Sequence, residues 1–87
     1  MYELIYSTDA LKQLDKLENI NKERIILALE HLRIRPYSYD IKKLVGFTGY
    51  RFRVGDYRVI FDIENDKLLI LILQIGHRKK VYDGLKA

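Results

Sequence analysis

Three guanidinium groups, Arg51, Arg53 and Arg58, crowd into the segment Tyr50-Arg51-Phe52-Arg53-Val54-Gly55-Asp56-Tyr57-Arg58. Guanidinium is permanently charged, and its fork matches two phosphate oxygens at once, so convergent arginines suit a site that holds charge on a phosphate. A fourth, Arg78, precedes Tyr82 by four residues. A phenol exchanges protons if nearby cations lower its ordinary pKa of about 10. This set suits RNA cleavage through the RNA's own 2′-hydroxyl. The substrate brings the nucleophile, and the protein need only position the backbone, offset charge at pentacoordinate phosphorus and move protons.

Other chemistries lack their parts. The chain has no cysteine and two histidines, His31 and His77, which excludes disulfides and thiolate metal sites, and it carries neither a P-loop nor a dinucleotide fingerprint. Asp62 and Glu64 share a strand face, but a pair at that spacing is usually solvated. Each candidate has a plainer reading as well: the arginines as a charged edge that discourages aggregation, Tyr82 as an aromatic anchor for the C-terminus, and His77 as a polar residue closing a strand.

The arginines can act together only if a hairpin aligns them. Phe52 and Val54 alternate with Arg51 and Arg53, and Tyr57, Val59, Phe61 and Ile63 alternate with Arg58, Ile60, Asp62 and Glu64, the period of two half-buried strands. Gly55-Asp56 suits a type II′ turn, with glycine at the first central position. Counting from it pairs Val54 with Tyr57, Arg53 with Arg58, Phe52 with Val59 and Arg51 with Ile60. The apolar side chains then share one face and the arginines the other. Directly opposed like charges cost stability, and a local conflict of this kind marks a functional site more readily than a stability device.

Around the hairpin, Tyr2 to Tyr6 reads as a first strand, with Ser7 or Thr8 capping a helix that carries Ala10, Leu11, Leu14 and Leu17. Asn19-Ile20-Asn21 breaks it, and a second helix with Ile25, Ala28, Leu29 and Leu32 runs toward Pro36. Asn65-Asp66 reads as a two-residue turn into a long apolar strand, Lys67 to Ile75, and the basic segment His77-Arg78-Lys79-Lys80-Val81-Tyr82 follows Gly76. Counting across this second turn pairs Arg58 with Leu73, Ile60 with Leu71 and Asp62 with Leu69. If the helices cover the Phe52, Val59, Phe61, Ile70 and Ile72 side, the other face joins cations to a leucine strip, which suits either a docked partner segment or a chain end folded over it.

At 87 residues and 48% hydrophobic content, the chain is read as one α+β domain spanning 1–87 with a single core. The net charge of +4 divides unevenly: residues 1–41 carry six Lys/Arg against seven Asp/Glu, and residues 42–87 ten against five. The basic half is the sheet half, as a nucleic-acid footprint requires. The apolar run Leu68 to Leu73 is too short to span a bilayer, and Met1-Tyr2-Glu3 leads straight into a strand-like run. A soluble, cytoplasmic protein with no membrane partner is expected.

Three blocks, Lys43-Leu44-Val45-Gly46, Gly49 through Phe61, and Ile75-Gly76-His77-Arg78-Lys79-Lys80-Val81-Tyr82, together resemble the RelE branch of the RelE/ParE toxin superfamily in order and spacing. The resemblance covers almost the whole chain. It implies an N-terminal strand, an αα-hairpin and then a mostly antiparallel sheet, about four strands in all. It further implies the toxin of a type II toxin–antitoxin pair, a ribosome-dependent endoribonuclease (an mRNA interferase). Such a toxin cuts mRNA in the A site, leaves a 2′,3′-cyclic phosphate and needs no metal or other cofactor. The implied partners are a RelB-like antitoxin, the ribosome with its A-site mRNA, and operator DNA bound through the toxin–antitoxin complex.

By motif, Arg51 and Arg53 occupy positions where well-known members carry two lysines, Arg58 matches the arginine that holds the scissile phosphate, Arg78 the arginine after the last strand, and Tyr82 the C-terminal tyrosine. Lys42, Lys43, His77, Lys79 and Lys80 are the expected RNA-binding residues around them. Arginine in place of lysine changes the chemistry, because arginine does not shed its proton. The general base is left unassigned, with Tyr82 the first candidate for proton transfer and His77 the second. Two other readings stand beside this one: a ParE-like poison of DNA gyrase, and a non-catalytic module that binds RNA or protein.

Overall fold

The computed structural model describes residues 1–36, 41–44, 46 and 48–80. Its first strand, β1 (Glu3–Tyr6), leads into two helices, α1 (Thr8–Asp15) and α2 (Asn19–Leu32). A short strand β2 (Ile41–Lys43), then β3 (Tyr50–Val54), β4 (Tyr57–Glu64) and β5 (Leu69–His77) complete one five-stranded sheet in the order β1-β5-β4-β3-β2. The sequence pointed to about four strands; the additional one is β2, a three-residue edge strand with too short a pattern to read. β1 runs parallel to β5 and every other pair is antiparallel.

Ser7 caps α1 as expected, its Oγ accepting from Ala10 N at 3.0 Å. The helix ends at Asp15, and the break falls at Lys16–Glu18 rather than at the asparagines. Glu18 is extended, and Asn19 and Asn21 lie in the first turn of α2, where backbone donors have no intrahelical acceptors anyway. Ala10 and Leu14 face the sheet while Leu11, about 100° round from Ala10, is turned to solvent. From α2, Ile25, Leu29 and Leu32 join Ala10, Leu14, Val59, Phe61, Ile70, Ile72 and Ile75 in one core, with Phe52 packed at its margin. Reciprocal bonds tie the end of α2 to the first strand: Tyr2 N donates to Arg33 O at 3.0 Å and Arg33 Nε to Tyr2 O at 2.9 Å.

The β3–β4 register is the one counted from the turn, including Arg53 opposite Arg58. Gly55 has φ 59 and Asp56 does not share its positive φ, as a type II′ turn requires. Gly49, just before β3, approaches β4 so closely that a Cβ there would lie 2.8 Å from Phe61 O, and its φ of +107 admits little but glycine.

The β4–β5 register departs from the count for two reasons. The connection is a 3₁₀ turn over Asn65–Lys67 followed by Leu68 in the left-handed region at φ 54, so Glu64 pairs with Leu69 and Asp62 with Leu71. An irregularity between Ile60 and Phe61 then lets Leu73 drop out of the pairing, so Ile60 faces Gln74 and Arg58 faces Gly76. Leu69 and Leu71 remain on the arginine face, now opposite Glu64 and Asp62, and Leu73, counted opposite Arg58, is unpaired. Just where this bulge falls, β1 stops at its Tyr6–Ile72 pair. Side chains continue in its place. Ser7 Oγ donates to Leu73 O at 2.8 Å, Gln13 Oε1 accepts from Ile75 N at 2.7 Å, and Gln13 Nε2 donates to Gln74 Oε1 at 2.7 Å.

Candidate active site

With both helices on one side of the sheet, the other side of the β3–β4 hairpin carries Arg51, Arg53 and Arg58. Strand pairing arranges this face in two rungs, about 6.6 Å apart along the strands. One rung runs Lys42, Arg51, Ile60, Gln74; the next runs Arg53, Arg58, Gly76. Ile60 is fully buried although it stands on the arginine face, and Gln74 is nearly so. The rung between β2 and β5 therefore joins a buried apolar side chain to a buried amide, whose Oε1 accepts from Gln13 Nε2.

Arg58 lies between β3 and β5 on this face. Its neighbour on one side is the cationic Arg53, and on the other Gly76 contributes no side chain to crowd it. Its Nη1 is buried and, among the described residues, has no hydrogen-bond acceptor. The ion pairs Lys22–Asp15, Arg33–Glu30 and Lys67–Glu64 leave out Arg53, Arg58 and Arg78 alike. The carboxylate of Asp62 lies four residues along β4 and accepts from Ile63 N at 2.8 Å.

The basic segment after β5 is fastened to the same end of the hairpin. Arg78 N donates to Asp56 O, and Lys80 N to His77 O, both at 2.8 Å. Arg78, Lys79 and Lys80 are exposed there. Tyr82 lies outside the described residues.

Two expected RNA-binding residues stand elsewhere. Lys43 pairs with Tyr50, whose ring stacks on Phe61 at 5.7 Å, so it belongs to the helix side. His77 pairs with Tyr57, meets its ring edge-on at 6.0 Å, and accepts at Nδ1 from Lys79 N at 3.2 Å. It lines a cleft of about 170 Å³ with Asn21, Arg24 and Asp56 on the side away from Arg58. Both lie on the face opposite the arginines for one reason: adjacent strand residues point to opposite faces. Lys42, in contrast, stands beside Arg51. Gln13, Gln74 and the buried Ile60 were not singled out from the sequence. The available signal was Ile60 itself, an apolar residue at a position of β4 whose neighbours of like orientation are Arg58 and Asp62.

Comparison with known proteins agrees with this architecture. A family model described as the ParE toxin of type II toxin-antitoxin system, parDE, matches residues 4–82. Toxin RelE3 of Methanocaldococcus jannaschii is 29% identical over 85 residues, covering 92% of this chain and 94% of that protein. A chain of the toxin–antitoxin complex RelBE2 from Mycobacterium tuberculosis superposes with a TM-score of 0.78 at 26% identity, over 88% of this chain and 98% of that one. For the archaeal RelE–RelB complex from Pyrococcus horikoshii the TM-score is 0.76 at 29% identity, over 88% and 94%. The chain therefore belongs to the ParE toxin family of type II toxin–antitoxin systems, within the RelE/ParE superfamily.

Proposed function

We propose that this toxin is a ribosome-dependent endoribonuclease that cuts mRNA in the A site. The observation that carries the reading is the buried Nη1 of Arg58, a cationic donor with no acceptor among the described residues. An uncompensated buried charge is costly, and a phosphodiester oxygen is the ligand that would satisfy it with a charge-assisted bond. Arg53, directly opposite, and Arg78, fastened beside the hairpin turn, supply further charge, and Arg51 with Lys42 extends the track for the RNA backbone. Lys79 and Lys80 add basic charge at the same end.

The reaction is a transesterification. The 2′-oxygen forms a bond to the adjacent phosphorus as the bond to the 5′-oxygen breaks, leaving a 2′,3′-cyclic phosphate and a 5′-hydroxyl. One proton leaves the 2′-hydroxyl and one reaches the departing oxygen. The arginines hold the extra negative charge of the phosphorane and take no proton; Tyr82 serves proton transfer. The partner is a RelB-like antitoxin, in keeping with the RelE–RelB complexes among the structural neighbours. It covers the cationic face, and the pair binds operator DNA. The site of action is the cytoplasm; no helix among the described residues is long and apolar enough to cross a membrane.

The test is induction of the parent and of Arg58→Ala, followed by mapping of RNA 5′ ends. The expected result is new ends inside translated codons for the parent and their loss in the variant. DNA breaks with intact messages would instead assign the chain to the alternative reading, a ParE-like poison of DNA gyrase. Toxicity unchanged in Arg58→Ala would point to a binding module.

A further inference from the structure

The outer face of α2 carries an apolar line that the fold does not use. Ile20, Leu27 and Ile34 are 66%, 62% and 63% exposed, and they recur every seven residues, which on an α-helix drifts only about 20° per step. Ile34 lies just past the helix proper but keeps the winding, its N–H donating to His31 O at 3.1 Å. On one side of this line stand Glu23 and Glu30, and on the other Arg24 and His31. Glu30 reaches back to Arg33 at 3.0 Å, a solvent-exposed pair that contributes little and can rearrange. Arg24, whose head rests over the Gly55 turn, has no ion pair among the described residues.

We propose that this face is a self-association surface, on which two copies pair through α2 in parallel about a two-fold axis along the helix. The charge pattern selects both the occupant and the orientation. In a parallel pair each apolar residue meets its own counterpart, and the acidic flank of one copy lies against the basic flank of the other: Glu23 beside Arg24 of the partner subunit, Glu30 beside His31 of the partner subunit. An antiparallel pair would set Glu23 against Glu30 of the partner subunit and the two basic flanks against each other. Self-complementarity of one patch is what an isologous dimer requires. Because α2 packs on the side of the sheet away from Arg51, Arg53 and Arg58, the pairing leaves both arginine faces outward and accessible. Three apolar anchors are far fewer than the roughly 20–30 residues a side of a standard interface, so the dimer is weak and concentration-dependent.

The test is sedimentation velocity of the free toxin from micromolar to millimolar concentration, beside Leu27→Glu, joined to disulfide trapping in a chain that has no cysteine of its own. The parent should show a reversible monomer–dimer equilibrium. Leu27→Glu, at an exposed position, should keep the parent's circular dichroism and melting while weakening association at least about tenfold. Ile20→Cys alone and Ile34→Cys alone should each cross-link to themselves faster than a mixture of the two cross-links heterologously. A parent that stays monomeric throughout, a mixture in which the heterologous cross-link dominates, or parental association in Leu27→Glu would each overturn the proposal. So would a monomeric toxin in which Leu27→Glu weakens only antitoxin binding, since the stripe would then belong to the antitoxin.

Discussion

Replacing Arg58 with methionine should make the protein more stable while abolishing its activity. Methionine has comparable length and no charge, so the substitution removes two unfavourable features without opening a large cavity. One is the buried Nη1, which lacks an acceptor among the described residues; an unsatisfied buried donor costs about 1–3 kcal/mol. The other is the direct opposition of Arg53 and Arg58, worth a few tenths to about 1 kcal/mol. Arg58 is only partly buried as a residue, and solvent screening lowers both figures. The expected net gain is about 1–2 kcal/mol, a rise in melting temperature of roughly 5–15 °C for a domain of this size. Thermal and urea denaturation of the parent, Arg58→Met and Arg53→Met would measure it; Arg53→Met relieves only the opposed charges and isolates that part, a gain of at most about 0.5 kcal/mol after screening. Message cleavage by Arg58→Met should fall about 100-fold or more, the usual loss when one donor to a developing anion is removed. A variant less stable than the parent would refute the reasoning, because it would mean that Arg58 is held by favourable interactions within the protein.

Ser7→Ala should lose about 1–2 kcal/mol, since the hydroxyl both caps Ala10 N and donates to Leu73 O; urea unfolding checks it. Gly49→Ala should destabilise by at least about 2 kcal/mol, combining a positive φ with a Cβ 2.8 Å from Phe61 O. Gly46→Ala, where a Cβ meets nothing within 4 Å, should cost only about 1 kcal/mol for its positive φ. The Tyr6 phenol is held above its ordinary pKa of 10.0, first by burial and then by Glu30, with Arg33 opposing. The unfolded chain therefore loses this proton first, so the stability that neutral Tyr6 contributes is present below about pH 10 and is lost as pH rises through the folded value. Melting curves between neutral and strongly alkaline pH should fall less steeply for Tyr6→Phe than for the parent.

The hairpin that carries the arginines was legible because each of its determinants is local. Strict alternation assigned the faces, and Gly55-Asp56 pinned the register. The helix side of the sheet was legible too, from Val59, Phe61, Ile70 and Ile72. The β4–β5 register was not. Leu68 through Leu73 are all apolar, so no alternation says which residues face inward, and a 3₁₀ turn with a left-handed Leu68 has no strong signature beside Asn65-Asp66. The bulge at Leu73 depends on where β1 ends and on Ser7 and Gln13, contacts more than sixty residues apart in the chain. Lys43 and His77 were grouped with the arginines because they are basic and close in sequence, whereas sheet geometry turns them to the opposite face.

The unpaired Leu73 has a consequence for how such a site can change. In a strand, each single-residue offset exchanges the two faces for everything that follows. Ile70 and Ile72 lie ahead of the offset and stay committed to the core, while Gly76, His77 and the cations beyond are presented according to the slipped count. Deleting Leu73 would regularise the ladder and keep Gly76 across from Arg58, whereas closing the bulge at constant length would set Gln74 across from Val59 and Ile75, a core residue, across from Arg58. The unpaired residue thus works as a spacer that lets Ile72 and Ile75, three positions apart in one strand, both face the core while Gly76 leaves room beside Arg58.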